Sequence, residues 1–244
     1  MIKVSAVSYL NTIPFIYGLK NSPIFDQIEL SLDFPALCAD KLLKGQVDIG
    51  LVPVAVIPKL QHPHIISDYC IGANGAVDTV CLYSDVPISE IKSIALDYQS
   101  HTSVELLKIL LKEYWQLSPG LIKAEVGFED SIKGKHAALV IGDRAFSLND
   151  KHAYIYDLSA IWKQMTGLPF GFAALMANTK LPQDFIIDFN KALEKGLSDM
   201  QKALNFEGDN YPNCKNPEDY LNNKVSYNLD FEKQKGMELF LSKV

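Results

Sequence analysis

Hydroxyl and amide side chains gather just ahead of apolar, helix-like runs at two places in the chain. One is Ser8-Tyr9-Leu10-Asn11-Thr12 before Ile13-Pro14-Phe15, and the other is Ser100-His101-Thr102-Ser103 before Val104-Glu105-Leu106-Leu107. Such residues cap helix starts, and one of Ser100, Thr102 and Ser103 is expected to be an N-cap. They also make an anion site, because the first turn of a helix carries N–H groups without partners and the helix dipole adds positive potential there. The chemistry on offer is recognition of a carboxylate by neutral donors.

Composition sharpens this reading. Arg144 is the one arginine in 244 residues, so guanidinium clamps are nearly unavailable, and an organic acid would have to be held by helix starts, hydroxyls, amides and lysine. Gly142-Asp143-Arg144 follows the apolar run Ala137-Ala138-Leu139-Val140-Ile141; Asp143 fits either a base or a turn-capping carboxylate, and Arg144 either a cleft residue or a surface charge. Tyr9, Pro53, Phe170 and Phe172 are placed to wall a small ring, although each also fits core packing. No GxSxG elbow or HExxH pair occurs.

The elements that must position these residues alternate. Ile2–Tyr9, Ile28–Phe34 and Val47–Ile57 read as strands separated by helical stretches, a βαβαβ unit whose third strand is apolar enough to be covered on both faces. From Pro87 a second α/β unit follows, and the chain ends in helical segments. Two α/β halves joined by extended crossovers predict a two-lobed α/β fold with a central cleft, lobe one being residues 1–86 plus 174–244 and lobe two residues 87–173. In open α/β sheets ligands sit beyond the strand ends, which selects Ser8, Tyr9, Asn11, Pro53, Thr79, Ser100, Thr102, Ser103, Gly142, Asp143 and Phe170 as cleft residues.

The remaining features narrow the class. With 23 basic and 29 acidic residues, net charge −6 and no basic run, nucleic acid is not an expected partner. No 18-residue apolar run is present, so no membrane partner is expected, and the opening Ile2-Lys3-Val4-Ser5-Ala6-Val7 lacks the features of a signal peptide, so a cytoplasmic location is expected. Cys38, Cys70, Cys81 and Cys214 have no CxxC spacing and read as free thiols, and the five histidines are scattered; no metal site is expected. The sequence sets no oligomeric state.

Five ordered blocks, SYLNTIP, VDIGLVPV, ALDYQSHTSVELLKILL, ALVIGDRAF and IWKQMTGLPFGFA, together resemble the chorismate dehydratase family of the futalosine route to menaquinone. The likeness runs from residue 4 to about residue 175; the C-terminal third carries little of it. It implies a type II periplasmic-binding-protein-like fold used as a cytoplasmic enzyme, with a dianionic small-molecule substrate, chorismate, and no cofactor or metal. It also implies that the substrate's own side-chain carboxylate takes the proton. Asn11 and Thr79 fall on the family's catalytic asparagine and hydroxyl, and Thr102 and Ser103 on its anion-binding pair. Thr79 departs from the expected serine by a methyl group, and Tyr98 and Gln99 are larger than expected. The sister family, 1,4-dihydroxy-6-naphthoate synthase, shares the fold but does not usually open with a SYLN-type turn. A non-catalytic binding protein for an organic acid is the other reading these residues allow.

Overall fold

The computed structural model describes residues 1–207, 211 and 213–244. Strands β1 (Ile2–Val7), β2 (Ile28–Asp33) and β3 (Ile49–Pro53) are parallel, with β1 in the middle, and the crossovers contain α1 (Ile13–Lys20) and α2 (Pro35–Leu43). This is the βαβαβ unit expected from periodicity. Every residue of β3 is buried, as its unbroken apolar run requires of a central parallel strand. The rest of the sheet is antiparallel: β10 (Phe170–Ala177) lies between β3 and β4 (His64–Ala73), and β11 (Ser226–Asn228) pairs with β4, giving the order β11-β4-β10-β3-β1-β2.

The second sheet has the order β7-β6-β8-β5-β9, from β5 (Val80–Ser84), β6 (Ser93–Leu96), β7 (Gly120–Lys123), β8 (His136–Ile141) and β9 (Tyr154–Asp157). Helix α3 (His101–Ile109) continues into a π-helical turn, Leu110–Tyr114, and α4 (Leu158–Thr166) follows β9. The two sheets are the cores of two lobes.

Sheet membership moves both crossings from the expected positions. Val80–Ser84 pairs with β8 and β9 of the second sheet, while Phe170 and Gly171 already pair with Ala73 and Gly72 of the first. The chain therefore changes lobe between Ala73 and Val80 rather than after residue 86, and returns before Phe170 rather than at residue 174. The extended stretch from Ile65 to Ser84 reads continuously by hydropathy, and only the ladder shows that it splits into strands of different sheets.

The C-terminal residues return to lobe one. Helices α5 (Gln183–Ser198) and α6 (Met200–Glu207) lie against α1. Helix α7 (Pro217–Asp219) runs into a π-helical turn, Tyr220–Lys224, and α8 (Phe231–Leu241) ends the chain. α1 and α5 cross where both present glycine: a Cβ on Gly18 would stand 2.9 Å from the Gly196 nitrogen. That close approach seats α1, and with it the turn leading into α1, rigidly on lobe one.

Candidate active site

The lobes face one another across a cavity lined from the first by Tyr9, Asn11, Pro53 and Phe172 and from the second by Thr79, Ser100, Ser103, Ile141 and Gly142. Its other walls are apolar, including Pro35, Ile71, Val77 and Val80. Among the described residues no charged side chain lines it; the polar groups are the hydroxyls of Tyr9, Thr79, Ser100 and Ser103 and the amide of Asn11. The free space is about 50 Å³, comparable to one or two water molecules, so a ring-bearing ligand is admitted only when the lobes part. A wider groove of about 770 Å³ runs over lobe one between β4, α5 and α8, but it contains none of the expected residues and opens broadly to solvent.

Asn11 reaches this cavity because β1 ends at Val7 and the chain turns through a short 3-10 segment, Leu10–Thr12, before α1, with Pro14 in the first turn of that helix. The sequence suggests a helix-capping role for Asn11, but its amide does something else: its Oδ1 accepts the Thr12 hydroxyl at 3.0 Å, and no side chain caps α1. Thr79 stands at the entrance to β5, its Oγ1 2.9 Å from the Tyr220 hydroxyl and 3.4 Å from the Val77 carbonyl oxygen. Burial raises the Tyr220 pKa, with Thr79 the main opposing influence. Tyr220 thus meets Thr79 through its hydroxyl.

Ser100 is the N-cap of α3: its Oγ accepts the Ser103 N–H at 3.0 Å and donates to the Ser103 Oγ at 2.9 Å. Both serines border the cavity. Thr102 does not, for its Oγ1 points the other way and accepts the backbone N–H of Ala55 at 3.1 Å. Ser8 is exposed, at the outer mouth with Asp143 and Gln99. Phe170 also lies outside the cavity. It is fully buried, with ring centroids 5.3 Å from Trp162 and 5.2 Å from Phe240, while Phe172, which falls in the register shift of β10 against β4 between Gly171 and Ala173, forms the wall.

Three helix starts of lobe one are met by acceptors from lobe two. Leu10 N–H, at the SYLN turn, donates to both oxygens of Asp143 at 3.2 and 3.1 Å. Ala36 N–H, in the first turn of α2, donates to the Gln99 carbonyl at 3.1 Å. Ala55 N–H, opening the 3-10 helix after β3, reaches Thr102. Tyr9 adds a hydroxyl hydrogen bond to Gln99 Oε1. The positive ends of these segments, where sequence reasoning expects an anion, hold the lobes together instead. Asp143 accordingly stands beside the cavity rather than in it, and burial pushes its carboxyl up to about 7 against the opposing effect of the Leu10 bond.

Arg144 is spent within lobe two. Its guanidinium bonds Asp97 at 2.5 Å and Glu129 at 2.6 Å, and stands beside the edge-on pair of rings Tyr98 and Phe128, 5.4 and 5.6 Å from their centroids. Asp97 also accepts the N–H groups of Gln99 and Ile141, so it braces the strand ends that carry Ser100 and Gly142. Burial still raises the Asp97 pKa, with Arg144 the main opposing influence.

Sequence reasoning missed Pro35, Ile71, Val77, Val80 and Ile141 as walls and Tyr220 altogether. The first five sit at or beside strand ends, which was a usable signal. Tyr220 lies 141 residues from Thr79 in a stretch without a motif, and only the fold brings it in.

The fold and its cleft define the class first: a two-lobed α/β protein of periplasmic-binding-protein type. A solved structure of a protein from Archaeoglobus fulgidus matches with a TM-score of 0.76 at 14% identity, covering 99% of this chain and 96% of that one. A Candida albicans protein described as having the generic periplasmic binding protein fold matches at 0.63 and 11% identity, over 98% and 90% of the two chains. The chain belongs to the menaquinone biosynthesis family, whose model matches residues 2–244. Within reach of direct alignment, it is 30% identical to a chorismate dehydratase of Thermus thermophilus over 71% of this chain and 70% of that one.

Proposed function

We propose that this protein is a chorismate dehydratase of futalosine-dependent menaquinone biosynthesis, converting chorismate to 3-[(1-carboxyvinyl)oxy]benzoate. One observation carries the reading: Asn11 and Thr79, the positions that match the family's catalytic pair, line the same uncharged cavity from opposing lobes. In the reaction the C3–H bond breaks, its electrons form the C3–C4 π bond of the new aromatic ring, and the C4 hydroxyl leaves as water after taking up a proton. Aromatisation drives the step, so the protein's task is to orient the substrate. Among the described residues no carboxylate or imidazole lines the cavity, which supports substrate-assisted removal of the C3 proton by the enolpyruvyl carboxylate. Asn11, Thr79, Ser100 and Ser103 then supply hydrogen bonds to that carboxylate and to the departing hydroxyl.

Four unpaired cysteines, Cys38, Cys70, Cys81 and Cys214, agree with a reducing, cytoplasmic setting. Incubation of the purified protein with chorismate, followed by the ultraviolet signature of the aromatic enol ether, tests the reading. Steady formation of that product is the expected result. Binding of chorismate without product leaves an organic-acid-binding protein, and turnover of cyclic dehypoxanthinyl futalosine in its place leaves the sister enzyme.

A further inference from the structure

We propose that Tyr220 is a positioning residue that holds Thr79 toward the substrate, an inference that rests on the dehydratase reading. The ring is 3% exposed and is held edge-on by Phe146, centroids 5.0 Å apart. Its hydroxyl lies 2.9 Å from Thr79 Oγ1, one of the expected catalytic pair.

Thr79 Oγ1 donates to the Val77 carbonyl at 3.4 Å, so the Tyr220 hydroxyl is placed to donate to Thr79 Oγ1 and fix its rotamer. Without the phenol, the remaining Thr79 side-chain bond among the described residues is the long one to Val77, and rotation about χ1 is less restrained.

The segment around Tyr220 is built to hold this position. Tyr227, seven residues on and in β11, donates its hydroxyl to the Asn11 carbonyl at 2.9 Å, so the C-terminal segment also holds the Asn11 backbone. Lys224, between the two tyrosines, pairs with Asp78 at 3.0 Å, beside Thr79. These residues belong to the part of the chain without family signature blocks, yet they close around the best-matched one.

The test compares wild type, Tyr220→Phe, Thr79→Val and the double variant on chorismate. Tyr220→Phe keeps the ring packing, so its melting midpoint stays close to that of wild type. The expected result is a kcat lower by about tenfold or more with KM changed by less than about threefold, and a double variant no slower than the slower single one, because both substitutions remove the same hydrogen bond. Wild-type kcat in Tyr220→Phe, or losses that multiply in the double variant, would overturn the role of Tyr220 alone. A wild-type protein that leaves chorismate unchanged overturns the dehydratase reading, and this role with it.

Discussion

Leu10 of the first lobe donates its backbone N–H to both carboxylate oxygens of Asp143 in the second, at 3.2 and 3.1 Å. The turn that carries Asn11 is therefore held from across the cleft by the residue that follows the Gly142 wall. A carboxylate at the positive end of a short helical segment is electrostatically favoured, and here the carboxylate belongs to the protein. Together with the Ala36–Gln99 and Ala55–Thr102 bonds, this pairing makes the closed arrangement of the lobes a set of satisfied helix starts. A substrate that opens the cleft has to replace those acceptors with its own.

The Asp143 carboxyl, raised by burial from 3.8 to about 7, gives this contact a pH dependence. Between those values the folded chain keeps a proton that the unfolded chain has lost, so this group's contribution to stability falls as pH rises from about 4 to about 7 and is flat above. Asp143→Asn retains an acceptor oxygen for Leu10 and removes the titration. Urea denaturation across that window is expected to show a smaller decline for the variant than for wild type. Parallel curves would show that Asp143 titrates normally in the folded protein.

Arg144→Ala is expected to act on stability first. From sequence, the residue reads as a surface charge or a cleft residue, and its removal should change turnover little. Among the described residues it is the only cationic partner of Asp97, whose side chain is wholly inaccessible. Removing one partner of a buried pair costs about 3–5 kcal/mol, and Arg144→Lys recovers little, because a single ammonium does not reproduce the planar fork that reaches Asp97 with one nitrogen and Glu129 with the other. Denaturation midpoints for both variants check this; a midpoint near wild type for Arg144→Ala would show that solvent compensates Asp97.

What the sequence made legible, and what it hid, divides along physical lines. Strand and helix alternation in β1 to β3 follows from apolar periodicity, which local hydropathy records. The cleft residues Tyr9, Asn11, Pro53, Thr79, Ser100, Ser103 and Gly142 were reachable because strand ends and helix starts leave local marks. Thr102 and Ser103 are adjacent and chemically alike, yet only one faces the cavity; which one is set by helix rotation against Ala55, a long-range fact. The lobe crossings and the role of Arg144 failed for the same reason, since ladders and ion pairs join residues far apart in sequence.

Asn11→Ala is expected to lower kcat on chorismate by about a hundredfold, the scale seen when one oriented hydrogen-bond donor is lost from a site that stabilises developing charge. Thermal stability should change far less, because among the described residues the deleted amide bonds only the neighbouring Thr12, and the backbone carbonyl that holds Tyr227 remains. Steady-state kinetics beside a melting curve separate the two effects. An active Asn11→Ala protein would make Asn11 a structural turn residue and remove the main support for the catalytic assignment.

Gly142→Ala tests the wall between cavity and mouth. Gly142 has φ +65°, and an added Cβ would stand 2.6 Å from the Tyr9 ring. The left-handed backbone alone costs an alanine about 1–2 kcal/mol, and the collision must be relieved either by moving Tyr9, which breaks its bond to Gln99, or by shifting Asp143 away from Leu10. Either movement loosens the closed cleft, so the expected result is a modest loss of stability with a larger rise in KM than fall in kcat. Tyr9→Phe keeps the ring and removes the Gln99 bond, and it should reproduce the KM effect without the backbone strain. Unchanged KM in both variants would mean that Tyr9 contributes shape to the cavity but does not hold the lobes together.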